Sequence, residues 1–157
     1  MAKALRILKI DKDDDEKSLR TPSTIVKEEE FDSKEFKTLL DDLLLTAKLS
    51  EEPAGGIASP QVGINKRVFY ILDYDTNEWK LFINPQMEPI GFIKSSTEES
   101  CLSVPNREEK VLRYKKIKIK YQDKNAKWHT EKYSDLNAIT IQHEIDHLDG
   151  VLFIDRV

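Results

Sequence analysis

Two histidines four residues apart, with a glutamate directly after the first, stand near the end of the chain in the segment IQHEIDHLDG, residues 141–150. On an α-helix, His143 and His147 lie on the same face, so that both imidazoles can bind one metal ion. Glu144 is one position round the helix from His143, where it can reach a water molecule without being a ligand itself. The spacing therefore predicts a hydrolytic metal site.

A catalytic metal site usually has three protein ligands and one open position, so a third ligand is needed. A third histidine in the pattern H-E-x-x-H-x-x-G-x-x-H is excluded, because Phe153 stands in its place. Residues 148–157 are too few to bring back a second helix with a glutamate. The third ligand must then come from upstream: His129, one of the acidic residues, or Cys101. A thiolate binds zinc and ferrous iron strongly, which would also explain a single unpaired cysteine, so we favour Cys101.

Composition and charge narrow the class of protein. The 157 residues, 39% hydrophobic and 34% charged, are typical of one globular domain spanning residues 1–157. The net charge of −4 predicts no direct nucleic-acid binding, and no apolar run is long enough to cross a membrane. MAKALRILKI followed by DKDDDE fits neither a signal peptide nor a transit peptide, so we expect a cytoplasmic location.

The elements that position the metal site begin with one N-terminal helix. Residues 11–30 are polar and acidic and are predicted to form a loop region, and the helix follows in residues 31–50. Asp32 is the expected N-cap, with Glu35 three positions later as in a capping box. Apolar residues then recur at the helical period, which predicts a face packed on the core.

Strands come next, and the site helix comes late. RVFYILD, WKLFINP, KIKIKYQ and KWHTEKY are predicted strands, MEPIGFIKSS is a weaker one, and EEPAGGIASPQVGI is a loop by its Gly and Pro content. The site helix is expected from about Asp135, its N-cap, to about Leu148, with Gly150 as the C-terminal cap and VLFID as a closing strand. This order indicates an α+β fold, with mostly antiparallel sheets around a central HExxH helix.

Three motifs resemble those of the peptide deformylase family, in order and over nearly the whole chain. GGIASPQ, residues 55–61, is similar to the glycine-rich first motif, ESCLS, residues 99–103, to the second, and QHEIDHLDG, residues 142–150, to the third. The early SLRTPSTIV is also similar to the family's N-terminal stretch.

The resemblance implies removal of the N-formyl group from new proteins that begin with formylmethionine. It implies that Cys101, His143 and His147 bind one divalent metal ion, natively Fe2+, which Zn2+, Ni2+ or Co2+ can replace. It also implies N-formylmethionyl peptides of nascent chains as the partners.

The reaction can be assigned to particular side chains. Metal-bound hydroxide would attack the formyl carbon, with Glu144 as the general base that passes the proton to the leaving amine. The amide of Gln61 and the backbone N–H of Leu102 would stabilise the oxyanion.

The substrate is expected to lie along the glycine-rich motif. Gly55 and Gly56 let a peptide backbone approach and pair as an added strand. Leu136 and Ile139 are the expected wall of an apolar slot for the methionine side chain. The residues expected to bind the substrate are Gly55, Gly56, Glu99, Ser100, Leu136 and Ile139.

The sequence departs from the family pattern at Ala54, Ser59 and Ser100, where glycine, alanine and glycine are usual. Ser100 adds a side chain beside the substrate path. Many members continue into a C-terminal helix where this chain reads FIDRV, so the resemblance does not extend to ribosome docking through such a helix. Asp146, on the site helix, is expected to pair with Arg113.

Two other functions fit parts of the pattern. A small metallopeptidase would need a histidine or glutamate ligand downstream, and residues 148–157 contain neither. A non-catalytic structural site would need four protein ligands, the fourth from His129 or a carboxylate. Assays of formylated against unformylated peptides would separate these functions.

Overall fold

The computed structural model describes residues 1–50 and 55–157, and it has the α+β fold predicted from the order of elements. The helices are α1 (Asp13–Leu19), α2 (Lys34–Lys48) and α3 (Asp135–Leu148). The strands are β1 (Gly56–Ala58), β2 (Val68–Leu72), β3 (Trp79–Pro89), β4 (Lys94–Cys101), β5 (Val104–Tyr114), β6 (Lys116–Gln122) and β7 (Trp128–Ser134). Short 3-10 helices span Glu28–Glu30, Ser59–Val62 and Phe153–Arg156.

The strands form two antiparallel sheets. A five-stranded sheet has the order β1-β2-β3-β6-β7, and β4 pairs with β5 in a two-stranded sheet. Among residues 1–50 and 55–157, each strand of the smaller sheet therefore pairs along one edge only, and β1 lies at the edge of the larger sheet. In each sheet a free strand edge offers unpaired backbone groups to an extended peptide.

The five-stranded sheet lies between two helices, because side chains alternate across each strand. Phe69 and Ile71 of β2 pack on the apolar side chains of α3, while Val68 and Tyr70 pack on those of α2. The α3 cluster contains Ala138, Ile141, Ile145 and Leu148 with Ala58, Phe69, Ile71, Phe82, Ile117 and Ile119. This burial holds α3 rigidly, with its histidine face turned towards β4.

Two helix ends differ from the prediction by one residue. Ser33, not Asp32, caps α2, since its side chain accepts a hydrogen bond from the backbone N–H of Phe36 at 3.1 Å. Ser134, not Asp135, is the residue before α3. Gly150 follows α3 with φ of 76°, as expected of a C-terminal glycine.

The predicted loop region of residues 11–30 contains α1, which the sequence did not indicate. A helix of seven residues is too short to be stable alone. It is held by Asp15, whose carboxylate accepts hydrogen bonds from Arg6 at 2.7 and 2.9 Å and from the backbone N–H of Lys9 at 3.1 Å. These are tertiary contacts, which is why local pattern alone missed this helix.

Three further segments differ from their predicted structure. MEPIGFIKSS is not one strand, because β3 ends at Pro89 and β4 begins at Lys94 after a turn. The described part of the predicted loop EEPAGGIASPQVGI contains β1 and the 3-10 helix Ser59–Val62. Residues 51–54 lie outside the described residues, and they include Ala54, where the sequence departs from the family pattern. VLFID, residues 151–155, is not a strand, because its last three residues belong to the 3-10 helix Phe153–Arg156. Within the described ranges, no helix has the length and apolar content needed to cross a membrane.

Candidate metal centre and active site

Three potential metal ligands meet where the end of β4 faces α3. The ligand atoms of Cys101, His143 and His147 all lie within 4.8 Å of one another. Sγ of Cys101 is 3.3 Å from Nε2 of His147, and the centroids of the two imidazole rings are 5.0 Å apart. The structure thus brings together the helical pair and the cysteine that lies some forty residues earlier.

This donor set fits a divalent metal ion. One thiolate and two imidazoles suit zinc or ferrous iron. Burial lowers the pKa of His147 well below its usual value, so this imidazole is in the neutral form that binds metals. Burial also acts to lower the pKa of His143, but hydrogen bonds with Cys101 and Glu99 raise it to about 10. A metal ion would bind His143 in its neutral form, so metal binding would displace the proton that the raised pKa leaves on this ring.

A buried carboxylate orients the first histidine. Nδ1 of His143 donates to Oε1 of Glu99 at 2.8 Å, which leaves Nε2 of this ring for a metal ion. Glu99 also accepts hydrogen bonds from Arg113 at 2.6 and 2.9 Å. Burial acts to raise the pKa of Glu99, but the contacts with His143 and Arg113 outweigh it, so that the pKa is lowered. Arg113 reaches Asp146 at 2.9 Å, so the pair expected from the sequence is present.

Glu144 lies beside the three ligands and is buried. Its Oε1 atom has no hydrogen-bond partner among the described residues, and burial raises the pKa of its carboxyl group to about 7. A carboxyl group with a pKa near neutrality is suited to accept and release a proton. A Cβ atom at Gly56 would lie 2.8 Å from Oε2 of Glu144, so that only glycine fits against this carboxylate.

Gln61 is held with its amide nitrogen towards the cluster. Its Oε1 accepts a hydrogen bond from the backbone N–H of Ala58 at 2.9 Å. Its Nε2 then lies 3.4 Å from Sγ of Cys101 and donates to Oγ of Ser103 at 3.2 Å. The fixed orientation supplies an N–H donor next to Cys101, and Leu102 lines the same cavity.

A cavity of about 220 Å³ opens onto the cluster. All six residues expected to bind the substrate line it: Gly55, Gly56, Glu99, Ser100, Leu136 and Ile139. The carboxylate of Glu99 is turned towards Arg113 and His143, so its contribution to the wall is limited.

Sequence reasoning did not identify four of the cavity residues: Tyr74, Thr97, Glu98 and Thr140. Thr140 could have been found, because it lies three positions before His143 on the same helical face. Tyr74 has no such signal, since it lies in the loop between β2 and β3 and reaches the cavity only through the fold. His129, considered as an alternative ligand, lies on β7 with Nε2 2.7 Å from Asp123, outside the cluster.

An HExxH helix that meets one further ligand at an open cavity is the arrangement of hydrolases with a single metal ion. The chain belongs to the polypeptide deformylase family, whose model matches residues 6–157. Members of this family are enzymes that remove the N-formyl group from nascent peptides.

Individual relatives agree with this assignment. Peptide deformylase of Leptospira biflexa is 35% identical over 148 residues, covering 88% of this chain and 82% of the relative. A class I type b peptide deformylase from Acinetobacter baumannii, solved with Met-Ala-Ser bound, has a TM-score of 0.88 and 28% identity, with 100% of each chain covered. A probable peptide deformylase from Synechococcus phage S-SSM7 has a TM-score of 0.84 and 37% identity, covering 98% of this chain and 100% of that one.

Proposed function

We propose that the chain is a metal-dependent hydrolase that removes the N-formyl group from the N-terminal formylmethionine of newly made proteins in the cytoplasm. The observation that carries this proposal is the convergence of Cys101, His143 and His147 beside Glu144, at an open cavity, in a chain of this family. The ligand cluster contains three residues within the described ranges, and its open side favours a catalytic site over a closed structural one.

Cys101, His143 and His147 would hold one divalent ion, Fe2+ in the native protein and Zn2+, Ni2+ or Co2+ as replacements. When bound, such an ion lowers the pKa of water from about 15.7 towards about 7 and so supplies the nucleophile at neutral pH. Glu99 keeps His143 in the tautomer that binds through Nε2, and Arg113 keeps Glu99 in place.

Glu144 acts as the general base. Its unpartnered Oε1 is free to accept a proton from the attacking water. As the bond between the formyl carbon and the methionine nitrogen breaks, Glu144 delivers this proton to the nitrogen, which leaves as the free amine while formate is formed. The raised pKa of Glu144 suits both steps.

The developing oxyanion needs hydrogen-bond donors. Gln61 Nε2 is already oriented towards the cluster by the hydrogen bond that its Oε1 accepts from Ala58. The backbone N–H of Leu102, next to the ligand Cys101, is the second donor. Loss of one such donor typically reduces the rate about 10²- to 10³-fold.

The peptide lies as an extended strand between the two sheets. Gly55 and Gly56 at the edge of the larger sheet and Ser100 at the end of β4 line one cavity, so both strand edges can contact the peptide backbone. The methionine side chain packs on Leu136 and Ile139 of α3. The related Acinetobacter protein was solved with Met-Ala-Ser, so formyl-Met-Ala-Ser is a suitable test substrate.

The test is formate release from formyl-Met-Ala-Ser by protein purified without oxygen, together with analysis of the bound metal. We expect about one Fe2+ for each chain and turnover that falls on prolonged aeration, because ferrous iron and its thiolate ligand both oxidise. Cleavage of internal peptide bonds without formate release would overturn the deformylase assignment. Activity that survives aeration unchanged would overturn the assignment of iron.

Glu144→Ala separates the catalytic role from the structural one. We expect the variant to retain the metal ion and to lose turnover, because the general base is removed while the three ligands stay. Loss of metal in this variant would contradict the role given to Glu144. A matched control is Asp149→Asn, a half-exposed carboxylate just beyond the end of α3 that contacts Arg67 and not the cluster.

A further inference from the structure

An aromatic ring from outside the three sequence motifs lies against the first candidate metal ligand. Phe153 stacks on the imidazole of His143, with the ring centroids 5.9 Å apart and an angle of 24° between the ring planes. The hydrogen bond from Nδ1 of His143 to Glu99 fixes one point of the imidazole, but the ring can still tilt about that contact. A nearly parallel aromatic neighbour opposes such tilting, because ring pairs at this separation favour offset stacking. The two contacts together fix both the direction and the plane of the ring.

Phe153 is itself held in a small apolar cluster. Its side chain is only 1% exposed and packs with Val104 and Val111 of β5 and with Leu152. Cys101 packs against the same cluster, which therefore adjoins one candidate ligand from β4 and another from α3. Because buried side chains are closely packed, the ring of Phe153 has little room to move. Its position is set by the fold and not by a metal ion.

Charged contacts tie the 3-10 helix Phe153–Arg156 to the helix that carries the ligands. Arg156 donates to both carboxylate oxygens of Asp146, through Nε at 3.0 Å and through Nη2 at 2.7 Å. Asp146 lies three positions after His143 on α3, so the two residues are neighbours on the helix surface. At the other side of the segment, Arg20 donates to Asp155 at 2.9 Å. The contact between Arg156 and Asp146 thus fixes the segment relative to the ligand that Phe153 covers.

We propose that Phe153 is a positioning residue of the metal centre, which holds the plane of the His143 imidazole so that Nε2 points to the metal ion. Arg156 supports this role by holding the segment of Phe153 on α3 through Asp146. This inference rests on the proposed metal-dependent function and adds two residues to the site. Both act through His143, so that their removal should change metal binding beyond any loss of fold stability.

The expected effects differ in size. Residues that orient a metal ligand typically contribute about 10- to 100-fold to metal affinity, and we expect the lower end of this range for Phe153, since Glu99 still holds the ring. Arg156 is one contact further away and its side chain is 50% exposed, so solvent weakens its ion pair and the expected effect is about threefold.

The experiment measures how fast the metal-loaded protein loses its ion to an excess of chelator, and it records the absorption spectrum of the Co2+-substituted protein. Phe153→Leu keeps an apolar side chain but removes the aromatic face. We expect metal loss about tenfold faster than in the parent and altered Co2+ bands, because the His143 ring is no longer held in one plane. Arg156→Gln, at a half-exposed position that tolerates substitution, should lose metal about threefold faster.

Matched controls separate positioning from general stability. Phe36→Leu makes the same change at a residue that is 4% exposed and whose ring packs on Phe31 in the α2 cluster. Arg6→Gln removes an arginine that, like Arg156, binds a buried aspartate, Asp15, through two hydrogen bonds. Both controls should lower the urea midpoint as their counterparts do, and both should leave the rate of metal loss and the Co2+ spectrum unchanged.

A parent-like rate of metal loss in Phe153→Leu would overturn the inference, and the same result in Arg156→Gln would remove Arg156 from it. Metal loss accelerated equally by Phe36→Leu would also overturn it, since the effect would then follow from general destabilisation. Bound metal without formate release from formyl-Met-Ala-Ser would instead reject the proposed function and leave the positioning role intact. Absence of bound metal from the parent protein would overturn both.

Discussion

Glu99 and His143 are joined by a hydrogen bond of 2.8 Å between Oε1 and Nδ1, so that a carboxylate in the motif ESCLS orients a histidine in the motif QHEIDHLDG. Replacing Glu99 by Gln should weaken metal binding about 10- to 100-fold, because the acceptor that sets the ring orientation loses its charge. Arg113 would also lose one of its two buried carboxylate partners, at a cost of about 3 kcal/mol in the free energy of unfolding.

Competition with a metal chelator and urea denaturation measure these two effects. Glu88→Gln is the matched control, since this glutamate is exposed on β3 and distant from the cluster. Unchanged metal affinity in the Glu99 variant would show that the hydrogen bond to His143 does not support the metal site.

Gly56→Ala should damage catalysis severely. The new Cβ atom would lie 2.8 Å from Oε2 of Glu144 and 2.9 Å from the carbonyl oxygen of Tyr70, so Glu144 must move. A displacement of about 1 Å at a reacting group can cost about 100-fold in rate. Among the described residues, the added Cβ atom of Gly55→Ala contacts the Tyr74 hydroxyl, at 3.6 Å, and this variant should lose much less activity. Measurements of kcat with metal content check this, and equal losses in the two variants would contradict it.

Gly150→Ala should destabilise the fold by about 2 to 4 kcal/mol. The residue has φ of 76°, and an added Cβ would lie 2.4 Å from the carbonyl oxygen of Arg20, a contact that forces the backbone apart. Gly91 provides the comparison, because it has φ of 75° with open space around it. Gly91→Ala should cost only the backbone strain, about 1 to 2 kcal/mol. Urea denaturation measures both, and equal losses would mean that the Arg20 contact has no effect.

Arg113 and Asp146 should be energetically coupled. Both are buried and 2.9 Å apart, so a double-mutant cycle with Arg113→Lys and Asp146→Asn should give an interaction energy of about 1 to 3 kcal/mol. The exposed pair of Arg107 and Glu109, also 2.9 Å apart, should give less than about 1 kcal/mol in the same cycle. Additive effects at Arg113 and Asp146 would show that the pair is not a stabilising unit.

Asp15 should make stability depend on pH in the acid range. Hydrogen bonds from Arg6 and from the backbone N–H of Lys9 lower the pKa of Asp15 to about 2. Because the pKa is lowered, the ionised carboxylate makes its full contribution to folding stability at pH values above the unfolded-state pKa of about 3.9. This contribution is lost as the pH falls towards the folded-state pKa of about 2. The stability difference between the parent and Asp15→Asn should therefore narrow from pH 5 to pH 3.

Urea midpoints at each pH measure that difference. Asp13→Asn, at the first position of the same helix, is the control, because Asp13 lacks the contact with Arg6. A difference between the parent and Asp15→Asn that stays constant from pH 5 to pH 3 would contradict the lowered pKa.

The candidate site was largely predictable where its residues belong to one element. His143, Glu144 and His147 follow from helical spacing alone, and Gly150 follows from the chemistry of helix ends. The α+β fold class followed from the order of strands and helices. Cys101 was a choice among upstream candidates until the motif ESCLS made the resemblance specific.

Other features depended on contacts between elements that are distant in the sequence. Nothing local to β4 shows that Glu99 turns inwards to Arg113. Likewise α1 exists because Asp15 meets Arg6, against the loop character of its own sequence. The amino-acid sequence by itself determined which side chains could bind a metal ion and transfer a proton, because periodicity places residues on faces of a single element. Only the tertiary structure decided which of those faces meet, since packing of helices and sheets sets distances that no local pattern contains.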